Sequence, residues 1–444
     1  MNIADYIKNE LPQWPNWFNV ILLKCNVFGG WVYGKSYRHY SKTIDEINPK
    51  EKLLEMVNYA IKNVPYYREK YGDLVVHSIG EFEDKIGFIN KDEVMANWDK
   101  FIADNADLSK CITGTTGGTS GKPLKLVNSK DRFSVELAFM HKMWETTGWK
   151  YDLRGVIRNH KLPDSRIYIL NPITKELIFD AFRMSSDYAA KIVQTLRHFK
   201  VKYIQAYPSA AYQFCKICKS NGLDISFLRC FLCGSEAVTK EQYLFIENVM
   251  GIKVFSWYGH SEKLILGGTI DTSHNIYIEP HYGFFELIDK NDGVISEKGK
   301  IGEITGTTFF NRYMPLIRYK TGDYAVLYED HIDINEYAVL SDIYGRWDKN
   351  LIYKKDGTTT SITALNLHNG IYERIDGLQY IQNEIGVLEL NIIKGAGYTS
   401  LTENELISYI ENALEGELKV KIKYVDKLMT LPNGKFLPLI SFIN

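Results

Sequence analysis

The sequence predicts an α/β protein with a large N-terminal domain, which contains a parallel βαβ sheet and a β-rich part, and a small α+β C-terminal domain. Three observations support this prediction. Short apolar stretches alternate with amphipathic helical patterns between residues 186 and 259, which is typical of βαβ units. The pattern becomes β-rich from Tyr277 onward, and the C-terminal part combines a helix with an amphipathic strand. The length of 444 residues also exceeds what one hydrophobic core usually supports.

Composition places the chain among ordinary globular proteins, with 45% hydrophobic and 24% charged residues. A net charge of -1 gives no overall electrostatic signal for binding nucleic acid, so we expect no such partner. The N-terminus has no basic start followed by an apolar run, and we therefore expect no signal peptide and a cytoplasmic location.

The most apolar region runs from Trp17 to Gly34. Asn19, Lys24, Asn26 and two glycines interrupt it, so we expect a buried segment rather than a transmembrane span. Peripheral contact with a membrane is the alternative for this region.

The first 110 residues are predicted to be mostly helical. The stretch "EKLLEMVNYAIKNV" has apolar residues at helical spacing, and Pro65 is expected to end that helix. After a glycine-rich stretch, "DRFSVELAFMHKMWETTGW" predicts another helix. Its apolar stripe is predicted to comprise Phe133, Leu137, Met140 and Trp144, with His141 as an ordinary helix residue and not a ligand.

The central region then alternates. "SSDYAAKIVQTLRHF", "PSAAYQFCKICKSNG" and "TKEQYLFIENVMG" read as helices, and "VKYIQAY", "LRCFLCG" and "IKVFSWYG" as strands. Pro208 suits the start of the second helix and Gly222 its end. Ligands of such sheets bind at the carboxyl ends of the strands, which is where "GSEA" and "HSEK" fall.

The C-terminal third predicts strands and one further helix. "FFELIDKNDGVI" carries an Asp-Gly hairpin signal, and "GKIGEITGTTFF" and "PLIRYKTGDYAVLY" read as strands. "TENELISYIENALEG" predicts a helix with a capping box from Thr402 to Glu405, ended by Gly416. "ELKVKIKYVDKL" alternates as an amphipathic strand.

The cysteines Cys215, Cys218, Cys230 and Cys233 have a spacing close to that of a zinc site. However, the first pair falls in a helical pattern and the second in a strand, whose residues three apart point to opposite faces. We therefore interpret them as reduced, mostly buried thiols, with zinc as the alternative.

The stretch "TTGGTSGKPLKL", from Thr115 to Leu126, concentrates glycines and hydroxyls, as polyphosphate-binding loops do. It is not a Walker A loop, because Thr116 occupies the position of the first glycine and Pro123 follows Lys122 where a hydroxyl is required. A glycine-rich turn without a ligand is the alternative interpretation.

Four further stretches carry candidate residues in a definite order: "FLCGSEAV", "SWYGHSEK", "RYKTGDY" and "YGRWDKN", followed by "LPNGKFL" near the C-terminus. Together with the glycine-rich loop they resemble the motifs of the adenylate-forming superfamily, and most closely its phenylacetate–coenzyme A ligase and CapK-like branch. The resemblance covers nearly the whole chain, and "NVPYYREKY" and "NRYMPLIRYKTGD" are typical of the CapK-like side.

The resemblance implies a nucleotide site and a two-domain architecture, with a large adenylating domain at 1–347 and a small mobile domain at 348–444 that rotates about a hinge at Asp348. It implies that Glu262 holds Mg²⁺, that Asp323 accepts hydrogen bonds from the ribose, and that Lys435 reaches the α-phosphate, with Glu262 and Lys435 as the catalytic pair. The nucleotide-binding residues implied are Thr116, Gly117, Gly118, Thr119, Ser120, Gly121, Lys122, Gly234, Ser235, Glu236, Tyr258, Gly259, Ser261, Asp323 and Arg346.

The reaction implied joins ATP and a carboxylic acid into an acyl-adenylate with release of pyrophosphate, followed by acyl transfer to coenzyme A. Two alternatives stay open: transfer to another acceptor, such as an amino sugar or carrier protein in polysaccharide assembly, and a non-catalytic nucleotide-binding protein. The sequence does not identify the acid, although Ala206 to Ala210 and His160 are candidates for its pocket. Self-association into a homodimer is also left open.

Overall fold

The structure is a computed structural model, and it describes residues 10–25, 33–115, 124–158, 160–331, 333–344, 351–365, 371–395, 397–414, 416–429 and 439–443. Its α-helices comprise Asn16–Lys24, Gly34–Thr43, Pro49–Asn63, Pro65–Tyr71, Ile79–Lys85, Lys91–Ala96, Arg132–Glu145, Ser186–His198, Pro208–Ser220, Lys240–Tyr243 and Ser400–Ala413. A π-helical turn, Leu244–Val249, continues the helix that begins at Lys240. Short 3-10 turns span Leu11–Gln13, Ile44–Glu46, Trp98–Phe101, Leu108–Lys110, Ile362–Leu365 and Ile371–Arg374.

The strands are numbered in chain order: β1 Cys111–Thr115, β2 Lys125–Ser129, β3 Arg154–Arg158, β4 Ile169–Asn171, β5 Glu176–Asp180, β6 Tyr203–Ala206, β7 Cys230–Gly234, β8 Lys253–Gly259, β9 Leu266–Gly268, β10 Ile276–Ile278, β11 Gly283–Ile288, β12 Ile301–Thr308, β13 Tyr319–Leu327, β14 Ala338–Tyr344, β15 Leu351–Tyr353, β16 Thr359–Ser361, β17 Ile375–Glu384, β18 Val387–Lys394, β19 Lys419–Tyr424 and β20 Leu439–Ser441.

Among the described residues, one twelve-stranded sheet has the order β11-β12-β13-β14-β10-β9-β8-β7-β6-β3-β5-β4. Strands β5, β3, β6, β7 and β8 run parallel to one another, and the strands from β9 to β14 and at β4 pair antiparallel. The predicted βαβ region and the predicted β-rich region are therefore the two halves of one continuous sheet. The α/β fold class is confirmed.

The parallel half is covered by the helices Ser186–His198 and Pro208–Ser220, whose apolar side chains share one core with β3, β6 and β7. Apolar side chains of the helices Pro49–Asn63 and Ile79–Lys85 pack instead against the antiparallel half, around β11, β12 and β13. The N-terminal helices thus stabilise the half of the sheet that is farthest from them in sequence.

The elements after residue 350 form separate sheets and a separate core. Strands β15 and β16 pair with each other, and β17 to β20 form a four-stranded sheet of order β19-β18-β17-β20. The helix Ser400–Ala413 contributes Leu406 and Ile410 to this core. The predicted boundary at 347/348 and the hinge at Asp348 lie outside the described residues, so the division into two domains stays a prediction.

The helix Pro49–Asn63 forms as predicted, with its N-terminus capped by the Asn48 side chain. Pro65 does more than end this helix, since it begins the next one, Pro65–Tyr71. The predicted hairpin at Asp292-Gly293 is reduced to a single bridge between Ile288 and Val294, because β11 pairs along its length with β12.

Two predictions of helix detail were wrong. The capping box of Ser400–Ala413 uses Thr399 and Thr402, one turn before the predicted pair of Thr402 and Glu405. In the helix Arg132–Glu145, Phe133 is 55% exposed, and its ring lies under the Lys263 ammonium at 4.4 Å. The buried face is instead centred on residues that meet the sheet and the helix Gly34–Thr43: Val135, Ala138, Phe139, Met140, Met143 and Trp144.

The described part of the apolar N-terminal region also differs from the prediction of a buried segment. Trp17 is 67% exposed on the helix Asn16–Lys24, whereas Asn19 is fully buried. The Asn19 amide donates to the carbonyls of Leu11 and Leu170, both at 3.0 Å, so the polar residue anchors the helix to β4. Within the described residues, no helix combines the length and apolar character that crossing a bilayer requires.

Candidate nucleotide site at the carboxyl edge of the sheet

The candidate residues after β7 and β8 lie side by side because these two strands are parallel neighbours in the sheet. Gly234 ends β7 and pairs in register with Trp257 of β8, and Tyr258 and Gly259 complete β8. The carboxyl ends of parallel strands meet at one edge, which is where ligands of such sheets bind. Two motifs that are separate in the sequence are therefore adjacent in the fold.

The turn after β7 is shaped by close packing. A Cβ atom on Gly234 would lie 2.2 Å from the Trp257 ring, so only glycine fits there. Ser235 follows with a positive φ of 69°, and its hydroxyl accepts a hydrogen bond from the Arg158 guanidinium at 2.9 Å. The Glu236 carboxylate accepts from the backbone N–H and the hydroxyl of Ser209, both at 3.1 Å. Glu236 thereby ties this turn to the start of the helix Pro208–Ser220.

A hydrogen bond links two motifs that are 65 residues apart. The Tyr258 hydroxyl donates to the Asp323 carboxylate at 2.9 Å, and Asp323 is 3% exposed. The backbone N–H of Asp323 donates to the Thr321 hydroxyl at 3.1 Å, which in turn donates to the Ile304 carbonyl at 2.7 Å. Burial and the nearby Asp323 carboxylate both raise the pKa of Tyr258 well above its usual range, so the phenol stays a hydrogen-bond donor.

Glu262 lies in the same site and is 7% exposed. The Tyr319 hydroxyl of β13 donates to its carboxylate at 3.3 Å, and Nδ1 of His260 lies 3.3 Å from its other oxygen. In the described part of the chain, no three His, Cys, Asp or Glu side chains converge on a point where a metal could bind. A single carboxylate suits Mg²⁺, which usually takes one or two protein carboxylates and completes its shell with water and phosphate oxygens.

A buried charged cluster fixes the turn that carries Glu262. The Lys263 ammonium pairs with Glu136, the Tyr282 hydroxyl donates to Glu136 at 2.8 Å, and Arg132 donates to the Lys263 carbonyl at 2.6 Å. Burial alone would raise the pKa of Glu136, but Lys263 and Arg132 outweigh it and lower the pKa. Glu136 is thus held as a carboxylate, and its contacts hold the backbone next to Glu262.

The remaining predicted residues of this turn are more open. Gly259 and Ser261 are exposed, and Gly259 pairs with Leu266 of β9. His160 lies two residues beyond the end of β3, and its carbonyl accepts from the Ala181 N–H at 3.2 Å. Residues 206–210 bridge the end of β6 and the start of the helix Pro208–Ser220, at the same edge of the sheet.

Several predicted site residues lie outside the described residues: Thr116, Gly117, Gly118, Thr119, Ser120, Gly121, Lys122, Arg346, Asp348 and Lys435. The strands that flank the glycine-rich stretch are described, and they pair antiparallel from Thr115 with Lys125 to Cys111 with Ser129. The structure therefore brings together Gly234, Tyr258, Glu262 and Asp323, and says nothing of the predicted loop and lysine.

Sequence reasoning did not single out three side chains that contact the predicted ones, namely Arg158, His260 and Tyr319, whereas Ser209 falls within the predicted pocket stretch Ala206 to Ala210. Arg158 carries a usable signal, because it follows the short apolar run of β3, although β3 was not predicted as a strand. Tyr319 carries no such signal in the sequence, since its contact with Glu262 depends on how β13 lies against the turn after β8.

The four cysteines singled out by their spacing are all buried and unpaired by disulfides. Cys215 and Cys218 lie on the helix Pro208–Ser220, and Cys230 and Cys233 on β7. Burial raises the pKa of Cys218 to about 12, so its thiol is protonated at neutral pH, in agreement with the interpretation as a buried reduced thiol.

No family model matches the chain. The chain is 23% identical over 449 residues to Protein CapK of Staphylococcus aureus, an alignment that covers 94% of each protein. It is 23% identical over 321 residues to the phenylacetate-coenzyme A ligase of Thermus thermophilus, which covers 68% of this chain and 71% of that enzyme. The crystal structure of a 2-hydroxyisobutyryl-CoA ligase, in complex with 2-HIB-AMP and CoA, shares the fold with a TM-score of 0.56 at 16% identity, over 91% of this chain and 90% of the ligase.

These similarities confirm the resemblance to the adenylate-forming superfamily and to its CapK and phenylacetate–coenzyme A ligase branch. They also confirm the fold class, because the structural similarity extends over 91% of this chain. The assignment of individual residues to the nucleotide is a separate question, and it rests on the geometry above.

Proposed function

We propose that this protein activates a carboxylic acid with ATP, forming an acyl-adenylate and pyrophosphate, and then transfers the acyl group to coenzyme A. The observation that carries the proposal is the hydrogen bond between Tyr258 and Asp323, with Glu262 in the same site. Two motifs that resemble parts of one nucleotide site, "SWYGHSEK" and "RYKTGDY", are therefore neighbours in space. Similarity to coenzyme A ligases in both sequence and fold supports the reaction class.

In this proposal the Asp323 carboxylate accepts hydrogen bonds from the ribose hydroxyls. An ionised carboxylate offers two acceptor oxygens, which suits a vicinal diol. Tyr258, whose hydroxyl is held by Asp323, presents its ring to the adenine. Residues Gly234 to Glu236 line the adenine side, together with Gly259 and Ser261, because β7 and β8 end next to each other. Arg346 is assigned to the nucleotide by resemblance.

The first chemical step joins a carboxylate oxygen of the acid to the α-phosphorus and breaks the bond to pyrophosphate. The resemblance assigns Thr116 to Lys122 to the β- and γ-phosphates and Lys435 to the α-phosphate. Glu262 would hold Mg²⁺, which supplies positive charge to the phosphate oxygens when bound. Removing one side chain that is held in place to stabilise the charge of the transition state typically slows the reaction by ~10²–10³-fold.

The second step breaks the bond between the acyl carbon and AMP as the sulfur of coenzyme A attacks. The proposed small domain, residues 348–444, would turn about Asp348 between the steps and withdraw Lys435. Hinge closure of this type places different residues at one site in succession.

A second candidate acceptor is an amino sugar or a carrier protein. The similarity to phenylacetate-coenzyme A ligases spans 62–68% of the chain, whereas the similarity to Protein CapK spans 94% of it. The full length of the chain therefore matches a relative that is not named as a coenzyme A ligase.

Release of pyrophosphate from ATP, measured across aryl, fatty and amino acids, tests the first step. We expect at least one acid to stimulate release, and Glu262→Gln to reduce kcat by about 10²–10³-fold. Glu297→Gln is the matched control, because Glu297 is exposed and pairs with Lys300 at the surface. No release with any acid, despite bound ATP, would contradict the proposal.

The acceptor is tested by adding coenzyme A to the protein after an acyl-adenylate has formed. Stoichiometric appearance of acyl-CoA and AMP supports the thiol acceptor. A stable acyl-adenylate that coenzyme A leaves untouched, but that hydroxylamine or an amino sugar consumes, would favour the second candidate.

A further inference from the structure

The Arg158 guanidinium lies at the carboxyl edge of the sheet, where it has no role in the proposed activation step. Arg158 is the last residue of β3, and the sheet order places β6 and β7 between β3 and β8. The side chain is thus at the same edge as Tyr258 and Glu262, three strand positions away. With strands about 4.8 Å apart, β3 and β8 are separated by roughly 14 Å.

The contacts of Arg158 hold its side chain without neutralising it. One terminal nitrogen donates to the Ser235 hydroxyl at 2.9 Å, and the guanidinium lies over the Tyr207 ring, 4.9 Å from its centre. Its Nε is buried and has no hydrogen-bond partner in the described part of the chain. A neutral hydroxyl and a ring face therefore orient a cation that still has N–H groups to donate.

The nearby carboxylates are engaged elsewhere. Asp180 is the register partner of Arg158 on β5, but its carboxylate accepts from the backbone N–H groups of Leu162, Phe182 and Arg183. The Glu236 carboxylate accepts from Ser209. None of the ion pairs found among the described residues includes Arg158.

The fully buried Arg132 lies over the Tyr282 ring and donates to the Lys263 carbonyl, whereas two other buried arginines have carboxylate partners. Arg154, four residues earlier on β3, pairs with Glu176, and Arg318 pairs with Glu286. A partly buried guanidinium without a counter-charge is costly, and a carboxylate or phosphate is the group that it binds best.

We infer that Arg158 binds a second anionic group on the substrate, so that the acid activated here carries a carboxylate or phosphate in addition to the carboxylate that reacts. This inference rests on the proposed function. It places the carboxylate that reacts near Glu262, after β8, and the second anionic group of the acid beside Arg158, at the end of β3. The adenosine part of ATP is uncharged, and the triphosphate is assigned to residues 116–122, Glu262 and Lys435. An anion near Ser235 and Tyr207 is therefore assigned to the acid.

The test compares matched acids in the pyrophosphate-release assay: succinate with butyrate, glutarate with pentanoate, adipate with hexanoate, and 6-phosphonohexanoate as the phosphonate arm. We expect one of the dianionic acids to exceed its monoanionic match in kcat/KM by 10-fold or more. Arg158→Met should reduce that preference by about 10- to 100-fold, mainly through the KM of the acid, as expected when a charge-assisted hydrogen bond is lost. Arg158→Lys should retain part of the preference, because it keeps the charge but not the planar fork.

Arg197→Met is the matched control, since Arg197 pairs with Asp224 on the surface, and it should leave the preference unchanged. Monoanionic acids that are used as well as or better than their dianionic matches would overturn the inference while the proposed function stands. If Arg158→Met instead raised the KM for ATP and left the preference among acids unchanged, Arg158 would be assigned to the nucleotide. That result would also overturn the inference. Release with some acid of the broader panel, but with none of the dianionic acids, contradicts the inference alone. Release with no acid at all contradicts both proposals.

Discussion

Replacing Asp323 by asparagine is expected to weaken ATP binding, because it removes the negative charge from the side chain that we assign to the ribose. Asp323 is almost fully buried and already accepts one hydrogen bond, from the Tyr258 hydroxyl at 2.9 Å. Asparagine has nearly the same shape but offers one acceptor oxygen and one amide that donates. Its single neutral oxygen replaces two charged ones, so the hydrogen bonds from Tyr258 and the ribose lose their charge assistance and one acceptor atom.

The magnitude follows from the number of hydrogen bonds affected. A hydrogen bond to a charged group contributes about 1.5–3 kcal/mol, so the loss of one such bond to the ribose raises the Kd of ATP by roughly 10- to 150-fold. Tyr258→Phe leaves the charge in place and removes one bond to it, so a smaller increase, about 5- to 10-fold, is expected. Because the two side chains contact each other, the double variant should fall short of the product of the single effects.

Calorimetric titration with ATP and ATP–pyrophosphate exchange together measure this effect. The exposed pair of Tyr277 and Asp271 provides matched controls, since the Tyr277 hydroxyl donates to the Asp271 carboxylate at 2.7 Å and neither residue is assigned to the nucleotide. Asp271→Asn and Tyr277→Phe should leave the Kd of ATP unchanged. A Kd for Asp323→Asn equal to that of the wild type, with the fold intact, would refute the assignment of Asp323 to the ribose.

Three further predictions concern the reaction and stability. Lys435→Ala should abolish adenylate formation but leave thiol transfer from a supplied acyl-adenylate, and equal loss in both half-reactions would contradict the role of Lys435. Burial holds the pKa of His141 well below its usual 6.5, so the unfolded chain takes up a proton near pH 6.5 that the folded chain does not. The free energy of unfolding should therefore fall by about 1.4 kcal/mol per pH unit below pH 6.5. In melting temperatures measured against pH, His141→Phe should make this fall less steep. An unchanged steepness in the variant would count against the explanation. Arg318→Met should destabilise the fold by about 3–5 kcal/mol because it strands the buried Glu286 carboxylate, and thermal melts should show that adding Glu286→Gln restores part of the loss.

The pattern of the sequence was enough to predict three of the five parallel strands, β6, β7 and β8, whereas β3 and β5 were not predicted. Between residues 186 and 259, short apolar stretches and amphipathic stretches with period 3.6 give strands and helices in the order that the structure has. That order places the residues after β7 and β8 at one edge, since parallel neighbours share their carboxyl ends. The candidate residues Gly234 and Tyr258 could thus be located without a structure.

The hydrophobic pattern of the sequence did not predict burial correctly where a side chain contacts a distant part of the chain. Trp17 lies on the surface and Asn19 inside, because the Asn19 amide finds the carbonyl of Leu170, 151 residues away. Phe133 is exposed because Lys263 stacks on its ring. Hydrophobicity alone gave the wrong answer at both positions: a polar side chain can be buried where it finds hydrogen-bond partners, and an aromatic ring can lie at the surface under a cation.

The fold class, the resemblance to adenylate-forming enzymes and the motifs that bear candidate chemistry could all be read from the amino-acid sequence. Which side chains contact one another became known only from the fold: Tyr258 with Asp323, Glu262 with Tyr319, and Arg158 with Ser235. The physical reason is that periodicity specifies the faces of a single strand or helix, whereas the contacts between strands depend on their order in the sheet. That order results from the packing of the whole chain, and it left Arg158 as a cation beside hydroxyl and ring, with no carboxylate of the described residues paired to it.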